Sequence, residues 1–153
     1  MKIYVGSDHR GHAYKAKILR ILEDDGYRVV DAGTHDSSQS CDYPKIAHKV
    51  AAAVVKSENN RGVLICMSGI GQAIAANKVR GAYAALCYNA ETAALSRQHN
   101  NANILVLGAK FVKEKDLKNI LRTWLNTPFE GGRHKRRFEQ IQRIEKGFRG
   151  SGM

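Results

Sequence analysis

The sequence predicts an α/β domain in which a five-stranded, mostly parallel sheet lies between two layers of helices. Three observations predict it. Short β-like runs alternate with stretches whose apolar residues recur at helical spacing. The run at residues 62–66 is apolar without alternation, which is typical of a strand covered on both faces. The length of 153 residues suits a single domain, spanning 1–153, with a substantial core.

Each element follows from local pattern. Strands are expected at residues 3–6, 28–33, 62–66, 83–87 and 103–108. Helices are expected at 11–25, from Pro44 to about 55, and at 71–79, 90–98, 117–125 and about 133–146. Pro44 suits the first turn of its helix, and Gly26 ends the first helix. The strict alternation implies parallel strands joined by helical crossovers.

Composition excludes several classes of protein. No run approaches the roughly 18 apolar residues of a transmembrane helix, and the N-terminus turns polar too early for a signal peptide. We therefore expect a cytoplasmic protein with no membrane partner. Three cysteines without a Cys-x-x-Cys pair indicate neither a disulfide framework nor a four-cysteine zinc site.

The net charge of +11 favours an anionic partner, either a phosphate ester or a nucleic acid. Residues 133–149 carry seven Lys or Arg against two Glu, so much of the excess lies near the C-terminus. A nucleic-acid-binding protein is the alternative from another functional class. The sequence lacks the aromatic interleaving of a single-strand platform and any helix-turn-helix or zinc-finger pattern, so we expect no nucleic-acid partner.

The central candidate is the segment 66–72, Cys-Met-Ser-Gly-Ile-Gly-Gln, where a buried strand runs into a helix at the ligand-binding edge of the sheet. Two glycines let backbone N–H groups converge on an anion, either a phosphate or an enediolate oxygen. The segment is neither a P-loop nor a dinucleotide fingerprint. A helix N-terminus should lower the pKa of the Cys66 thiol, although a small buried residue ending a core strand explains the pattern as well. Cys41 and Cys87 are expected to be structural.

Other polar residues also admit two interpretations. His99 fits a surface helix end, Asp8 with His9 fits a helix cap, and Tyr43 fits a packing residue. Arg133 and Arg137 are four apart, so they share a helix face that either grips a phosphate or is simply solvated. Only His9 and His12 lie close together among the histidines, and neither has a partner at zinc spacing, so we expect no metal.

Six motifs in register indicate a family. They are Gly6-Ser7-Asp8-His9-x-Gly11, Asp42-Tyr43-Pro44, Cys66-x-Ser68-Gly69-x-Gly71, Ala75-Ala76-Asn77-Lys78, Leu95-Ser96-Arg97-Gln98-His99-Asn100 and Glu130-Gly131-Gly132-Arg133-His134. With them the chain, from Lys2 to about Lys146, resembles the family of ribose-5-phosphate isomerase type B, which also contains galactose-6-phosphate and allose-6-phosphate isomerases.

The resemblance implies a Rossmann-like three-layer α/β/α subunit in a homodimer, sometimes a tetramer, with the active site between subunits. The implied reaction interconverts ribose 5-phosphate and ribulose 5-phosphate through a cis-enediol, without metal or organic cofactor, in the non-oxidative branch of the pentose phosphate pathway. An allose-6-phosphate or galactose-6-phosphate isomerase is the alternative. A galactose-6-phosphate enzyme divides its site residues between two different chains, whereas this chain carries them all.

The resemblance also implies residue roles. Cys66 would be the base, Ser68 would assist it, and His99 would donate the proton that opens the furanose ring. The substrate would be bound by Asp8, His9, Tyr43, Met67, Ser68, Gly69, Ile70, Gly71, Asn100, Lys110, Arg133 and Arg137. Of these, the two arginines and Lys110 would hold the phosphate. The helix at about 133–146 would complete that phosphate site. Two positions depart from the usual pattern, because members often carry glycine in place of Met67 and arginine in place of Lys110. Gln72 stands where some relatives place a glutamate base.

Overall fold

The five strands form one parallel sheet. In the computed structural model, which describes residues 1–147, they pair in the order β2-β1-β3-β5-β4, and all four pairs are parallel. The strands are β1 (Lys2–Ser7), β2 (Arg28–Gly33), β3 (Arg61–Cys66), β4 (Ala84–Leu86) and β5 (Ile104–Gly108). The predicted fold class is confirmed, and the sheet is parallel throughout.

Six helices cover the sheet. They are α1 (His12–Asp24), α2 (Tyr43–Val54), α3 (Ile70–Ala76), α4 (Ala90–Asn100), α5 (Leu117–Asn126) and α6 (Gly132–Glu145). A 3₁₀ turn at Glu114–Asp116, which the sequence pattern did not indicate, precedes α5. Among residues 1–147, none of the helices combines the length and apolar character that a membrane-spanning segment requires.

The sheet and the helices on its two faces form three layers, with one hydrophobic core on each face of the sheet. Along β3, Val63 and Ile65 join the core beneath α1 and α5, whereas Leu64 joins the core beneath α2 and α3. Side chains of a strand alternate between the faces of a sheet, so an uninterrupted apolar run fills both cores at once. The apolar run that predicted this strand is therefore explained.

The largest difference in an element boundary concerns α3, which ends at Ala76 and not at residue 79. Asn77 explains the early end, because its side-chain amide donates to the carbonyl of Ala84 and its Oδ1 accepts the N–H of Ala84, each at 2.9 Å. These bonds turn the chain directly into β4. Of the basic tail considered at 147–153, residues 148–153 lie outside the described part of the chain.

Candidate active site

The Cys66 pocket is a cavity of about 730 Å³ where β1 and β3 end at the carboxyl edge of the sheet. Seven of the predicted site residues line it, and Gly69 and Ile70 belong to the same loop. The lining residues are Asp8, His9, Arg10, Ser40, Cys41, Asp42, Tyr43, Pro44, Lys45, Cys66, Met67, Ser68 and Gly71. The edge that the strand pattern indicated therefore does carry a cavity.

The glycines of the loop are required by close approach. Gly69 has a φ of +86°, and a Cβ there would lie 2.4 Å from the Cδ1 atom of Leu86. A Cβ on Gly71 would lie 2.6 Å from the ring of Tyr43. Tyr43 thus packs over the loop and also lines the pocket, which confirms the packing interpretation, whereas its role in substrate binding stays a prediction.

The turn after β1 is held by Asp8. Its Oδ1 accepts the backbone N–H groups of Arg10 at 3.0 Å and Gly11 at 2.9 Å, just before α1. The neighbouring His9 accepts the N–H of Cys41 on its Nδ1 at 3.4 Å. This turn presents both predicted sugar-binding side chains to the pocket while one of them caps the backbone.

The Cys66 thiol lies at the end of β3 with 6% of its surface exposed. Burial raises its pKa, the N–H of Gly69 at 3.0 Å from Sγ lowers it, and the charge of Asp8 raises it again. The net direction is upward, so the expected lowering is wrong for the isolated chain. Desolvation of the thiolate outweighs the backbone donors that the sequence argument relied on.

Replacing Asp8 with asparagine should lower the pKa of the Cys66 thiol. The amide keeps an oxygen acceptor for the turn but removes the negative charge that disfavours a thiolate. Because the reactive species is the thiolate, the pH profile of alkylation by iodoacetamide should shift to lower pH. Asp42→Asn is the matched control, since Asp42 lines the same pocket but pairs with Lys45 at 3.3 Å. An unchanged or upward-shifted profile in Asp8→Asn would contradict this electrostatic account.

His99, Asn100, Arg133 and Arg137 form a second group, the His99 group, outside the Cys66 pocket. The rings of His99 and His134 stack at 4.1 Å between centroids with a 5° angle between planes. Arg133 Nε lies 3.4 Å from His134 Nε2. Arg133 and Arg137 are exposed on α6, which confirms that they share a helix, and Asn100 is exposed at the end of α4. Neither Lys110, which follows β5, nor any of these residues lines the pocket.

His134 and Glu130 are site neighbours that the motif assignment of roles did not include. Glu130 Oε2 lies 3.4 Å from His134 Nε2, and ligand atoms of His99, Glu130 and His134 all lie within 4.8 Å of one another. Coordination needs a metal near the plane of each imidazole, which stacked rings cannot both provide. Burial and the charges of His99 and Arg133 lower the pKa of His134, which favours its neutral imidazole. Sequence spacing does not reveal this group, because His99 comes from α4 whereas Glu130 and His134 lie just before and within α6.

Sequence reasoning gave no site role to Arg10, which lines the pocket, or to Gln72, which follows the lining residue Gly71. Arg10 is exposed at the pocket with its Nη1 atom 2.9 Å from the Met67 Sδ atom, so a guanidinium lies beside the Cys66 loop. Gln72 is fully buried, and both polar atoms of its amide lack a hydrogen-bond partner among the described residues. Arg10 could have been found from the sequence, because it directly follows Asp8 and His9. The burial of Gln72 is visible only in three dimensions.

Comparison with known proteins gives one consistent result. A family model described as "Ribose/Galactose Isomerase" matches residues 3–141. The chain is 44% identical over 145 residues to ribose-5-phosphate isomerase B of Escherichia coli, covering 95% of this chain and 97% of the relative.

Solved structures agree with the sequence relatives. The structure of Clostridium thermocellum ribose-5-phosphate isomerase B matches with a TM-score of 0.93 at 48% identity, covering 97% of this chain and 99% of that one. The Mycoplasma genitalium enzyme with bound ribulose-5-phosphate matches with a TM-score of 0.91 at 43% identity, covering 95% and 96%.

Proposed function

Because the chain belongs to the ribose/galactose isomerase family, we propose that it interconverts ribose 5-phosphate and ribulose 5-phosphate. The observation that carries the proposal is the position of Cys66. Its thiol lines a cavity at the carboxyl edge of the sheet and accepts a hydrogen bond from the Gly69 N–H at 3.0 Å. A relative of 43% identity is described with bound ribulose-5-phosphate. This activity would place the protein in the non-oxidative branch of the pentose phosphate pathway, in the cytoplasm.

In the proposed mechanism Cys66 is the base that moves a proton between C2 and C1 of the open-chain sugar. The thiolate takes the proton from C2, and the electron pair moves to the carbonyl oxygen to give a cis-enediolate. The proton of the C2 hydroxyl passes to the C1 oxygen, and the thiol, whose proton exchanges with solvent while the enediolate is bound, delivers a proton to C1 as the C2 carbonyl forms. Backbone N–H groups of residues 67–71 stabilise the enediolate oxygen, and Ser68 assists with its hydroxyl. No metal or organic cofactor enters these steps.

The proposed proton donor for ring opening is His99, with Asn100 binding the sugar beside it. His99 lies outside the cavity that holds Cys66, so we propose that the two groups that meet one substrate come from different subunits. This separation supports a homodimer with two composite sites, each pairing the Cys66 pocket of one subunit with the His99 group of a second copy.

Exposed apolar residues near the pocket support the same arrangement. Ile70 and Ile74 on α3 are 52% and 58% exposed, and Met67 is 39% exposed in the loop before them. Phe111, just after β5, is 56% exposed. Clustered apolar side chains of this size indicate a protein–protein contact, and a second copy of the chain satisfies it. Pairing of dimers into a tetramer remains a prediction.

Phosphate binding is assigned to Arg133 and Arg137, with Lys110 assisting. Two guanidinium groups one helical turn apart grip a dianionic phosphate through charge-assisted hydrogen bonds. Lys110 is exposed and follows β5, where its backbone N–H donates to the carbonyl of Met67 at 3.0 Å. It supplies charge without the bidentate geometry of an arginine.

The substrate comparison tests the proposal. With EDTA present, kcat/KM should be highest for ribose 5-phosphate and lower for allose 6-phosphate and galactose 6-phosphate. The pentose is expected to fit because the C1–C2 end must reach Cys66 while the phosphate reaches the arginines. A preference for either hexose phosphate would select the alternative function within the family. Turnover of none of the three, or turnover lost on adding EDTA, would contradict the proposal.

A further inference from the structure

A second large cavity, of about 630 Å³, lies at the opposite edge of the sheet from Cys66. Arg61 lines it at the start of β3, and Cys66 ends the same strand, so the two residues are separated by about 17 Å of strand. Residues flanking the amino ends of β4 and β5, with one face of α6, complete the wall. We propose that this cavity binds a multiply charged phosphate-type anion through Arg61, Arg97 and Arg80, at a site separate from the substrate site. The inference stands independently of the proposed isomerase activity.

Two guanidinium groups of the cavity pair with no counter-ion among residues 1–147. Arg97 is only 6% exposed, and its described hydrogen bonds leave from Nη1, to Asn101 Oδ1 at 3.0 Å and the Ala102 carbonyl at 2.6 Å. Arg61 is half-buried and donates from Nη1 to the carbonyls of Glu58 and Asn60. None of the salt bridges formed within residues 1–147 involves either guanidinium. Buried charges in proteins are normally paired, so two unpaired ones facing a shared cavity favour an anion there.

The electrostatics of the cavity point the same way. Burial and the nearby charge of Arg61 lower the pKa of Arg97 to about 10. An anion between the two groups relieves both effects, since it supplies the missing counter-charge and new hydrogen bonds. Arg80 and Lys146 add positive charge to the wall.

Two carboxylates also line the cavity. Glu145 is engaged, because its Oε1 accepts the Gly81 N–H at 2.7 Å and its Oε2 accepts the Tyr83 hydroxyl at 3.1 Å. Glu58 is exposed, and it is Arg61 that donates to its carbonyl. Four basic groups therefore face two acidic ones, which leaves the cavity net positive.

A tryptophan side chain near Arg97 can report anion binding through its fluorescence. Trp124 is the single tryptophan of the chain and is fully buried, and the Arg97 Cζ atom lies 6.0 Å from the centroid of its ring. An anion that binds Arg97 changes the field at this indole and so its fluorescence. The hydrogen bond from Arg97 to the Ala102 carbonyl also links the last turn of α4 to the segment before β5. That turn carries His99 and Asn100.

The test is a titration of Trp124 fluorescence in the full-length protein with phosphate and pyrophosphate, at ionic strength held constant with chloride. We expect a saturable change, tighter for pyrophosphate, that persists in Arg137→Ala, where the proposed substrate phosphate site is impaired. Arg61→Gln should weaken the binding of the anion by about tenfold or more, since it removes a charge-assisted contact. Arg28→Gln is the matched control, because Arg28 begins β2 as Arg61 begins β3 but lies outside the cavity.

Far-UV circular dichroism checks that each variant is folded. If Arg61→Gln is not folded, Arg80→Gln, which alters an exposed residue, serves in its place with the same expectation. A response that follows ionic strength alone would overturn the inference. So would equal affinities in wild type and Arg61→Gln, or a response that disappears in Arg137→Ala.

Discussion

Cys66→Ala is expected to lower kcat for ribose 5-phosphate by roughly a thousandfold or more while leaving substrate binding measurable. The variant loses the only group assigned to move the proton between the two carbons, but it keeps the turn at Asp8 and the phosphate-binding residues. Turnover is measured by a coupled assay and binding by calorimetry.

Cys87→Ala is the matched control for this substitution. Cys87 is also buried, with 1% of its surface exposed, and it lies outside the Cys66 pocket. This variant should retain wild-type turnover even if its stability falls. Substantial isomerisation by Cys66→Ala would exclude the thiol as the base.

Mixing two inactive variants is expected to restore activity if each site is built from two subunits. One variant is Cys66→Ala, and the other is the double variant Arg133→Ala with Arg137→Ala. After refolding together, random pairing makes half of the dimers mixed, each with one intact site of two, so activity should reach about a quarter of wild type. The assay is run at substrate concentrations well below the KM of the double variant.

A mixture of Cys66→Ala with Cys66→Ser is the control for complementation. Every site in that mixture lacks the thiol, so no activity should return. If the first mixture shows only the sum of its separate activities, the composite site is wrong. Both groups would then have to reach the substrate within one subunit.

The parallel sheet could be predicted because its signal is local. The apolar run at 62–66 has no alternation, and it fills the cores on both faces of β3. Pro44 lies in the first turn of α2 as expected, and Gly26 follows the end of α1. The end of α3 could not be predicted, since it depends on Asn77 bonding to Ala84 across a turn. A side-chain amide that pairs with a later strand leaves no periodic trace.

The candidate site could be predicted in part. The Cys66 loop, Asp8, His9 and Tyr43 meet at one edge because strand ends converge there. The direction of the pKa shift of Cys66 could not be predicted, because burial is a property of the folded chain. The stack of His99 on His134 was likewise invisible, since it joins two helices that are far apart in sequence.

Hydrogen exchange during turnover tests the central claim most directly. Ribose 5-phosphate is incubated with the wild-type protein in deuterated water with EDTA, and proton NMR follows the hydrogens on C1 and C2. Proton transfer through a Cys66 base predicts that ribulose 5-phosphate forms and that solvent deuterium enters the carbon-bound positions. Cys66→Ala should show neither change. Interconversion at an undiminished rate in Cys66→Ala, or deuterium entering equally fast in that variant, would contradict the account.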